Sequence, residues 1–336
     1  MNYTDLSFQD RLEIIHQVQA RKNLNQQIIE KDWWVTAVLK ALFSLPYAGH
    51  ISFKGGTSLS KCWNLINRMS EDADIAIDRE FLGFGGNLSK TQISDKLRRA
   101  SCSFVREKMQ YDLKSQLVAD GVREDEFDVK VNITTITTTD PEIIEIAYHS
   151  AFQGHAYIRP KVIVEVSGRS MNEPVASVKL CSFIDEVFPD APFAGKPFDV
   201  RAVVPERTFL EKLFLLHEEF SKPVDQIRTE RMSRHIYDIS QIMDTPIAAR
   251  ALNDASLYNS VIEHRRKFIG LKGFDYSSLR PQSLRIVPPA EVIGLWRKDY
   301  EKMQEIMIFG DSLPFDTLIE KIRILNDKIN SMQRGI

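Results

Sequence analysis

Two aspartates separated by one residue, Asp72 and Asp74, are the side chains in this sequence best suited to hold a metal ion. They lie in the segment Asp72 to Asp78, where acidic and apolar residues alternate with the period of a β-strand. Residues two apart on a strand share a face, so the two carboxylates project side by side. Because adjacent carboxylates repel each other, a divalent cation is the usual reason to keep both ionised. Oxygen ligands of this kind predict Mg²⁺.

A Gly-Gly turn precedes this strand and predicts a binding place for phosphate. The turn follows a short predicted strand, His50 to Phe53, and leads into a predicted helix, Ser58 to Ile66. Glycine tolerates positive φ and lets a ligand approach the backbone, and the N–H groups at a helix start attract anions. The candidate phosphate-binding residues in and beside the turn are Lys54, Gly55, Gly56, Thr57 and Ser58.

Neither the turn nor the acidic strand is specific by itself. A Gly-Gly turn is usually only a turn, and an alternating acidic strand is usually a solvated face of a sheet. The nearest competing motif, the P-loop pattern GxxxxGK[ST], is not satisfied. The two features at this spacing are much rarer together than apart, and together they indicate a phosphate site beside a metal site.

Composition sets limits on the class of protein. At 336 residues the chain exceeds the usual size of a single core, and its 43% hydrophobic and 27% charged residues are typical of globular proteins. A net charge of −2 neither requires nor excludes nucleic acid as a partner. Its three cysteines lie far apart, and no apolar stretch suits a signal peptide or a bilayer. We therefore expect a soluble, cytoplasmic protein.

The elements that must position the candidate site change in type near Pro205. We predict an α/β (α+β) domain with a mixed sheet over residues 1–204, followed by a mostly helical domain over residues 205–336. Further helices are predicted over 10–22, 25–43 and 89–120, and further strands over 129–139, 143–148, 162–166 and 198–203. The second domain is predicted to contain helices over 206–220, 233–243, 256–268, 289–307 and 315–329.

The sequence resembles a known family of enzymes. The segment GGTSLSK followed by RMSEDADI is similar to the motif of the AbiEii/AbiGii toxin family of nucleotidyltransferases, in the DNA polymerase β-like superfamily. IIEKDWWVT, ERTFLEKLFLLH, RHIYDIS and WRKDYEKMQEIMIFG look like other blocks of the family. The similarity covers most of the chain, and the Gly-Gly and Asp-x-Asp segment is its specific part.

The resemblance implies further site residues. Superfamily members add a third carboxylate from a neighbouring strand, for which Glu165 is the first candidate and Asp128 the alternative. It also implies that Lys212 contacts the nucleotide triphosphate and that Asp238 belongs to the last motif, both from the helical domain into the cleft. By pattern alone Lys212 is a surface lysine, and Asp238 pairs on a helix surface with Arg234. His235 departs from the acidic residue common in the family.

Arg68 and Ser70 come immediately before the acidic strand. Arg68 can bind a phosphate or pair with Asp72, and a structural ion pair is an equal alternative. Ser70 is two residues from Asp72 and points to the same site if the strand has begun there. Both residues are included in the predicted nucleotide-binding set.

The reaction that these residues imply is transfer of a nucleoside monophosphate from an NTP to an acceptor hydroxyl. Mg²⁺, or Mn²⁺ in its place, is expected at Asp72, Asp74 and the third carboxylate. The resemblance implies the toxin of a toxin–antitoxin or phage-defence system, a tRNA 3′ end as acceptor and a separately encoded antitoxin. Two alternatives stay open: a kinase-like protein phosphotransferase, and a catalytically weak NTP-binding regulator.

Overall fold

The computed structural model describes residues 2–70, 72–131, 141–152 and 159–332. The chain divides into two compact units. The first comprises Met1–Cys62 and Glu71–Val203, and the second comprises Trp63–Ser70 and Val204–Ile336. A short segment between the Gly-Gly turn and the acidic strand therefore belongs to the unit that is otherwise built from the C-terminal part of the chain.

The first unit is built on one mixed sheet, to which the described residues contribute seven strands in the order β3-β4-β5-β2-β1-β7-β6. β2 pairs parallel with β5 and β1 pairs parallel with β7, whereas the other neighbours are antiparallel. The strands are β1 (Ile51–Lys54), β2 (Asp72–Ile77), β3 (Phe127–Val131), β4 (Glu142–Tyr148), β5 (Lys161–Ser167), β6 (Val175–Leu180) and β7 (Phe198–Val203).

Helices cover the apolar residues of this sheet. They are α1 (Phe8–Lys22), α2 (Gln26–Ser44), α3 (Gly55–Lys61), α4 (Arg98–Phe104), α5 (Gln110–Ala119) and α6 (Phe183–Val187). π-helical turns at Gln92–Leu97 and Val105–Met109 join α4 and α5 into one helical run. α2 is central: it packs against α1, α5, β5 and β7, and its Trp34 ring stacks on Tyr148 of β4 with centroids 4.8 Å apart. Burial of this helix anchors the sheet.

The second unit is helical in its described part. Its helices are α7 (Pro205–Phe220), α8 (Ser233–Ile242), α9 (Pro246–Asn253), α10 (Ala255–His264), α11 (Ala290–Ile306) and α12 (Phe315–Asn330), with a π-helical turn at Arg265–Ile269 after α10. α8 packs against α7, α11 and α12, so three neighbouring helices fix the positions of its residues.

Residues 63–70 join the second unit through backbone hydrogen bonds. The amide of Met69 donates to the carbonyl of Met307 at 2.7 Å, and the amide of Phe309 donates to the carbonyl of Asn67 at 2.9 Å. These bonds flank an antiparallel bridge between Arg68 and Ile308. The segment is therefore fixed like a very short strand.

The start of α8 is capped by a residue from another helix. The carboxylate of Asp299 on α11 accepts from the Arg231 amide at 2.6 Å, and from the amide and hydroxyl of Ser233 at 2.9 and 2.6 Å. Arg231 has a left-handed φ of 58°, which turns the chain toward that carboxylate. A carboxylate on the free N–H groups of a helix start stabilises the helix and fixes its position.

The predicted fold class, a mixed α/β sheet domain followed by a mostly helical region, is confirmed. The predicted helix Ser58 to Ile66 is wrong at both ends, since α3 begins at Gly55 and ends at Lys61, before the chain enters the second unit. β6, α6 and α9 were not predicted. β6 is a short edge strand whose Ser177 and Lys179 are exposed. Residues 132–139 of the predicted strand 129–139 lie outside the described residues.

Across the described part of the chain, no helix is both long enough and apolar enough to cross a membrane.

Asp299→Ala is expected to lower the free energy of unfolding by about 1–2 kcal/mol, because the first N–H groups of α8 lose their cap. Urea unfolding measures the loss. Asp316→Ala is the matched control, since this exposed aspartate pairs with Arg297 at the surface and its removal costs about 0–1 kcal/mol. Equal losses in both variants would show that the cap does not set the stability of α8.

Candidate active site

The two aspartates lie on one face of β2, as the alternating sequence predicts. Ala73 and Ile75, between and after them, are fully buried on the opposite face, whereas Asp72 and Asp74 are half-buried. The apolar residues anchor the strand in the core, and this burial fixes the direction of both carboxylates. Strand formation therefore presents the Asp-x-Asp pair without any further support from loops.

A row of three charged residues crosses the centre of the sheet on this face. Lys54 on β1 is the register partner of Asp74 on β2, and Asp74 is the register partner of Glu165 on β5. Register partners project to the same face and lie close together. Lys54 thus lies on one side of Asp74, and a second carboxylate, that of Glu165, lies on the other side.

The register also distinguishes the two candidates for a third carboxylate. Glu165 lies on the strand directly beside β2. Asp128 lies on β3, which β4 and β5 separate from β2, a spacing of about 14 Å at the usual distance between strands. The fold therefore brings Glu165, and not Asp128, beside Asp74.

The backbone conformation of Gly55 fits closely against the Asp74 carboxylate. Its φ is +79°, a conformation that residues with a Cβ rarely adopt, and an ideal Cβ at this position would overlap the Asp74 carboxylate. The hydroxyl of Thr57, two residues later, donates to the Asp72 carbonyl at 2.5 Å. The turn and the acidic strand are therefore fitted directly to each other.

Two other polar residues of α3 are engaged within the first unit. Ser58 is 1% exposed, so its hydroxyl faces the interior in this conformation. The ammonium of Lys61 pairs with the buried carboxylate of Asp32 on α2 and lies 5.3 Å from the centre of the Phe183 ring. The amide of Phe183 donates to the same carboxylate at 2.8 Å. Lys61 therefore fastens α3 to α2 and α6.

The donor set on β2 and β5 fits a hard divalent cation. All three candidate ligands are carboxylates, and Mg²⁺ is typically held by one or two carboxylates together with substrate phosphates. Within the described ranges, no group of three or more His, Cys, Asp or Glu side chains is gathered as a ready-made metal centre. The chemistry of the set thus suits a cation held chiefly by Asp72 and Asp74 and completed by a phosphate-bearing substrate.

The second unit contains a buried ionic cluster of three residues, Arg68, Lys212 and Asp238. The Arg68 guanidinium donates to both oxygens of Asp238, at 2.6 and 2.7 Å, and the Lys212 ammonium lies 2.9 Å from Oδ2 of that carboxylate. Arg68 is 2%, Lys212 7% and Asp238 0% exposed. Neither Lys212 nor Asp238 is a surface residue, and Asp238 is held by Arg68 from a distant part of the sequence.

The cluster fixes the charge of its members. Burial alone would raise the pKa of Asp238, but the ion pairs with Arg68 and Lys212 outweigh it and hold that pKa well below its usual value. Burial lowers the pKa of Lys212, and Asp238 opposes this by favouring the ammonium. Burial, with Lys212 and Arg234 nearby, lowers the pKa of His235, so this imidazole is neutral at pH 7. Asp238 is the group that favours the ammonium form of Lys212 against the effect of burial.

Ser70 is half-buried and belongs with residues 63–70 of the second unit, before β2 begins at Asp72. The capping residue Asp299 and the pairing of Arg68 with Asp238 were missed by sequence reasoning. One signal was available for Asp299, since it lies in the WRKDYEKMQEIMIFG block that resembles the family.

A mixed sheet in which a Gly-Gly turn contacts an Asp-x-Asp strand is the arrangement expected of a nucleotidyltransferase. The family model described as nucleotidyl transferase AbiEii toxin, type IV toxin–antitoxin system, matches residues 37–321. The chain belongs to this family of nucleotidyltransferase toxins, which confirms the predicted family and enzyme class. Membership in a type IV toxin–antitoxin family implies an antitoxin partner.

A solved structure of MenT4, a nucleotidyltransferase toxin from Mycobacterium tuberculosis H37Rv, is similar to this chain. The sequence identity is 15% and the TM-score 0.44, over 98% of this chain and 100% of that one. No curated protein matches the sequence.

Gly55→Ala is expected to lower the free energy of unfolding by about 1–2 kcal/mol or more, because a Cβ is strained at this φ and meets the Asp74 carboxylate. Gly49→Ala is the control, since no atom lies within 4 Å of its Cβ position and its effect should stay within about 0.5 kcal/mol. Urea unfolding of both variants measures the difference. A Gly55→Ala protein as stable as Gly49→Ala would contradict the close fit of the turn to Asp74.

Proposed function

We propose that this protein is a Mg²⁺-dependent nucleotidyltransferase that moves a nucleoside monophosphate from an NTP to an acceptor hydroxyl and releases pyrophosphate. The observation that carries the proposal is the fit between Asp74 and Gly55 on neighbouring elements. A carboxylate pair that could hold a cation thereby lies against a Gly-Gly backbone turn that leaves no room for a side chain at Gly55.

Asp72 and Asp74 are the proposed metal ligands. Their shared strand face and the neighbouring Glu165 support this assignment. A divalent cation bound there would neutralise charge on the reacting phosphate oxygens and make the acceptor hydroxyl easier to deprotonate. Mn²⁺ offers the same coordination chemistry to oxygen ligands.

The other residues are assigned by the chemistry of their side chains. Glu165 would accept the proton of the acceptor hydroxyl or complete the metal site. The backbone at Gly55 and Gly56, with Lys54 beside it, would bind the phosphates. Lys212 would offset the charge of the triphosphate as a point charge, as the family resemblance implies, and Asp238 would keep its ammonium protonated. Such a site works by positioning and charge neutralisation, without a covalent intermediate on the protein.

The proposed biological role is that of a toxin that disables an RNA, in toxin–antitoxin or phage-defence systems. The proposed acceptor is the 3′ end of tRNA. Family membership supports the toxin role, and the acceptor comes from the resemblance alone. NTP and tRNA are thus the proposed substrates, and the antitoxin is the proposed protein partner.

Incubation with total tRNA and each NTP, labelled in turn at the α and the γ phosphate, tests the reaction. We expect the α label to move to tRNA, and transfer to stop when EDTA removes the metal and to resume when Mg²⁺ is added. Asp72→Asn and Asp74→Asn should each lower the rate roughly 100-fold or more, because the charge that holds the cation is lost.

Asp78→Asn is the control for these variants. Asp78 directly follows β2 but pairs with His50 at 3.8 Å, away from the Asp-x-Asp pair, and its variant should retain the rate of the parent protein. Movement of the γ label to protein would instead indicate a phosphotransferase. NTP binding with no movement of either label would indicate a regulator and would contradict the proposed reaction.

A further inference from the structure

The Arg68 side chain is committed to protein partners in the interior of the second unit. Its Nε and Nη2 donate to the two oxygens of Asp238, and its Nη1 donates to the carbonyl of Met69 at 3.1 Å. The residue is 2% exposed. A guanidinium bonded to both oxygens of a carboxylate fixes the plane of that carboxylate as well as its distance.

The backbone of Arg68 is held as firmly as its side chain. Its bridge to Ile308 is flanked by the hydrogen bonds from Met69 to Met307 and from Phe309 to Asn67. Arg68 therefore reaches Asp238 from a fixed base.

Asp238 passes this constraint to Lys212. The Oδ2 atom of Asp238 accepts from Arg68 and lies 2.9 Å from the Lys212 ammonium, so the two cations share one oxygen. A lysine has four rotatable bonds, and the fixed carboxylate selects one position for its flexible end. Without Arg68, the carboxylate would lose the contact that sets its plane.

We propose that Arg68 is a positioning residue that acts on Lys212 through Asp238, and that it does not contact the nucleotide. This inference rests on the proposed function, in which Lys212 binds the triphosphate. It replaces the prediction from sequence that Arg68 binds phosphate directly. The contacts from Arg68 to Asp238 and from Asp238 to Lys212 fix the position of the Lys212 ammonium before the NTP binds.

A double-mutant cycle tests the chain of contacts. The variants Arg68→Gln, Asp238→Asn and the double variant are compared in the labelled-NTP assay, with kcat and KM for the NTP measured separately. Each single change should lower kcat/KM by roughly 10- to 100-fold, because the ammonium is displaced by part of an ångström or more. Since both changes interrupt the same series of contacts, kcat/KM of the double variant should be no lower than that of the worse single variant.

The pH profile adds a readout that loss of stability alone would not produce. The titratable and charged groups that act on Lys212 include Asp238, Arg234 and His235 on α8 and Arg68 on residues 63–70. Arg68 lowers the pKa of Lys212 and Asp238 raises it. The alkaline limb of the rate should therefore shift to higher pH in Arg68→Gln and to lower pH in Asp238→Asn.

An exposed pair supplies the control cycle. Arg297 also bonds both oxygens of an aspartate, Asp316, on the surface of the same unit. Arg297→Gln and Asp316→Asn should leave kcat/KM unchanged. Where Arg68→Gln does not fold, as judged by its melting transition, Arg68→Lys takes its place, because it keeps the charge but cannot bond both oxygens.

The outcomes separate the inference from the proposed function. An active parent protein in which the losses of the single variants multiply in the double variant overturns the inference alone, because Arg68 then acts independently of Asp238. A parent protein that transfers no nucleotide overturns the proposed function and the inference with it. Both the inference and the proposed function are supported if the losses of the single variants do not multiply in the double variant and the alkaline limbs of the two pH profiles shift in opposite directions.

Discussion

The ionised carboxylate of Asp238, buried without exposure to water, is the constraint on which the second unit depends. Removing a carboxylate from water is costly, and only close cations and hydrogen bonds offset that cost. Arg68 and Lys212 supply them from two other parts of the sequence, so the residues 63–70, α7 and α8 must meet at one point. The cap from Asp299 and the bridge to Ile308 then hold α8 and Arg68 in place from the C-terminal part of the chain. Charge burial, rather than apolar packing alone, specifies how this unit is assembled.

The first unit holds its charged residues in position by a different means. There the acidic residues stay half-buried at a sheet surface, and position comes from strand register and from the absence of a side chain at Gly55. Register joins Lys54, Asp74 and Glu165 in one row, and a sheet with a buried opposite face resists the slip that would break that row. Repulsion between neighbouring carboxylates is tolerated because the backbone and core fix them in place. The acidic strand and the ionic cluster are thus supported by two kinds of scaffold.

Local patterns were enough to predict the parts of the structure that depend on local order. The alternation in residues 72–78 predicted β2 and the shared face of its aspartates, and helical spacing predicted α2, α7 and α8 with small errors at their ends. The edge strand β6 was missed although its apolar Ala176, Val178 and Leu180 alternate with the polar Ser177 and Lys179, because this run is short. The burial of Lys212 was also missed, because a lysine on an amphipathic helix is normally at the surface. Its partner Asp238 also pairs with Arg68, which is distant in sequence, and a cluster of that kind becomes visible only when the chain has folded.

The insertion of residues 63–70 into the second unit bears on how the protein is made. These residues are synthesised before most of the second unit, and their backbone partners, Met307 to Phe309, lie far further along the chain. A growing chain therefore contains the acidic strand and the Gly-Gly turn long before Arg68 can be fastened in place. The backbone bridge to Ile308 cannot form before that residue has been made, although the three residues of the ionic cluster are all present once Asp238 has been made. Shortened chains that end before Met307 lack the same closure, whatever else they contain.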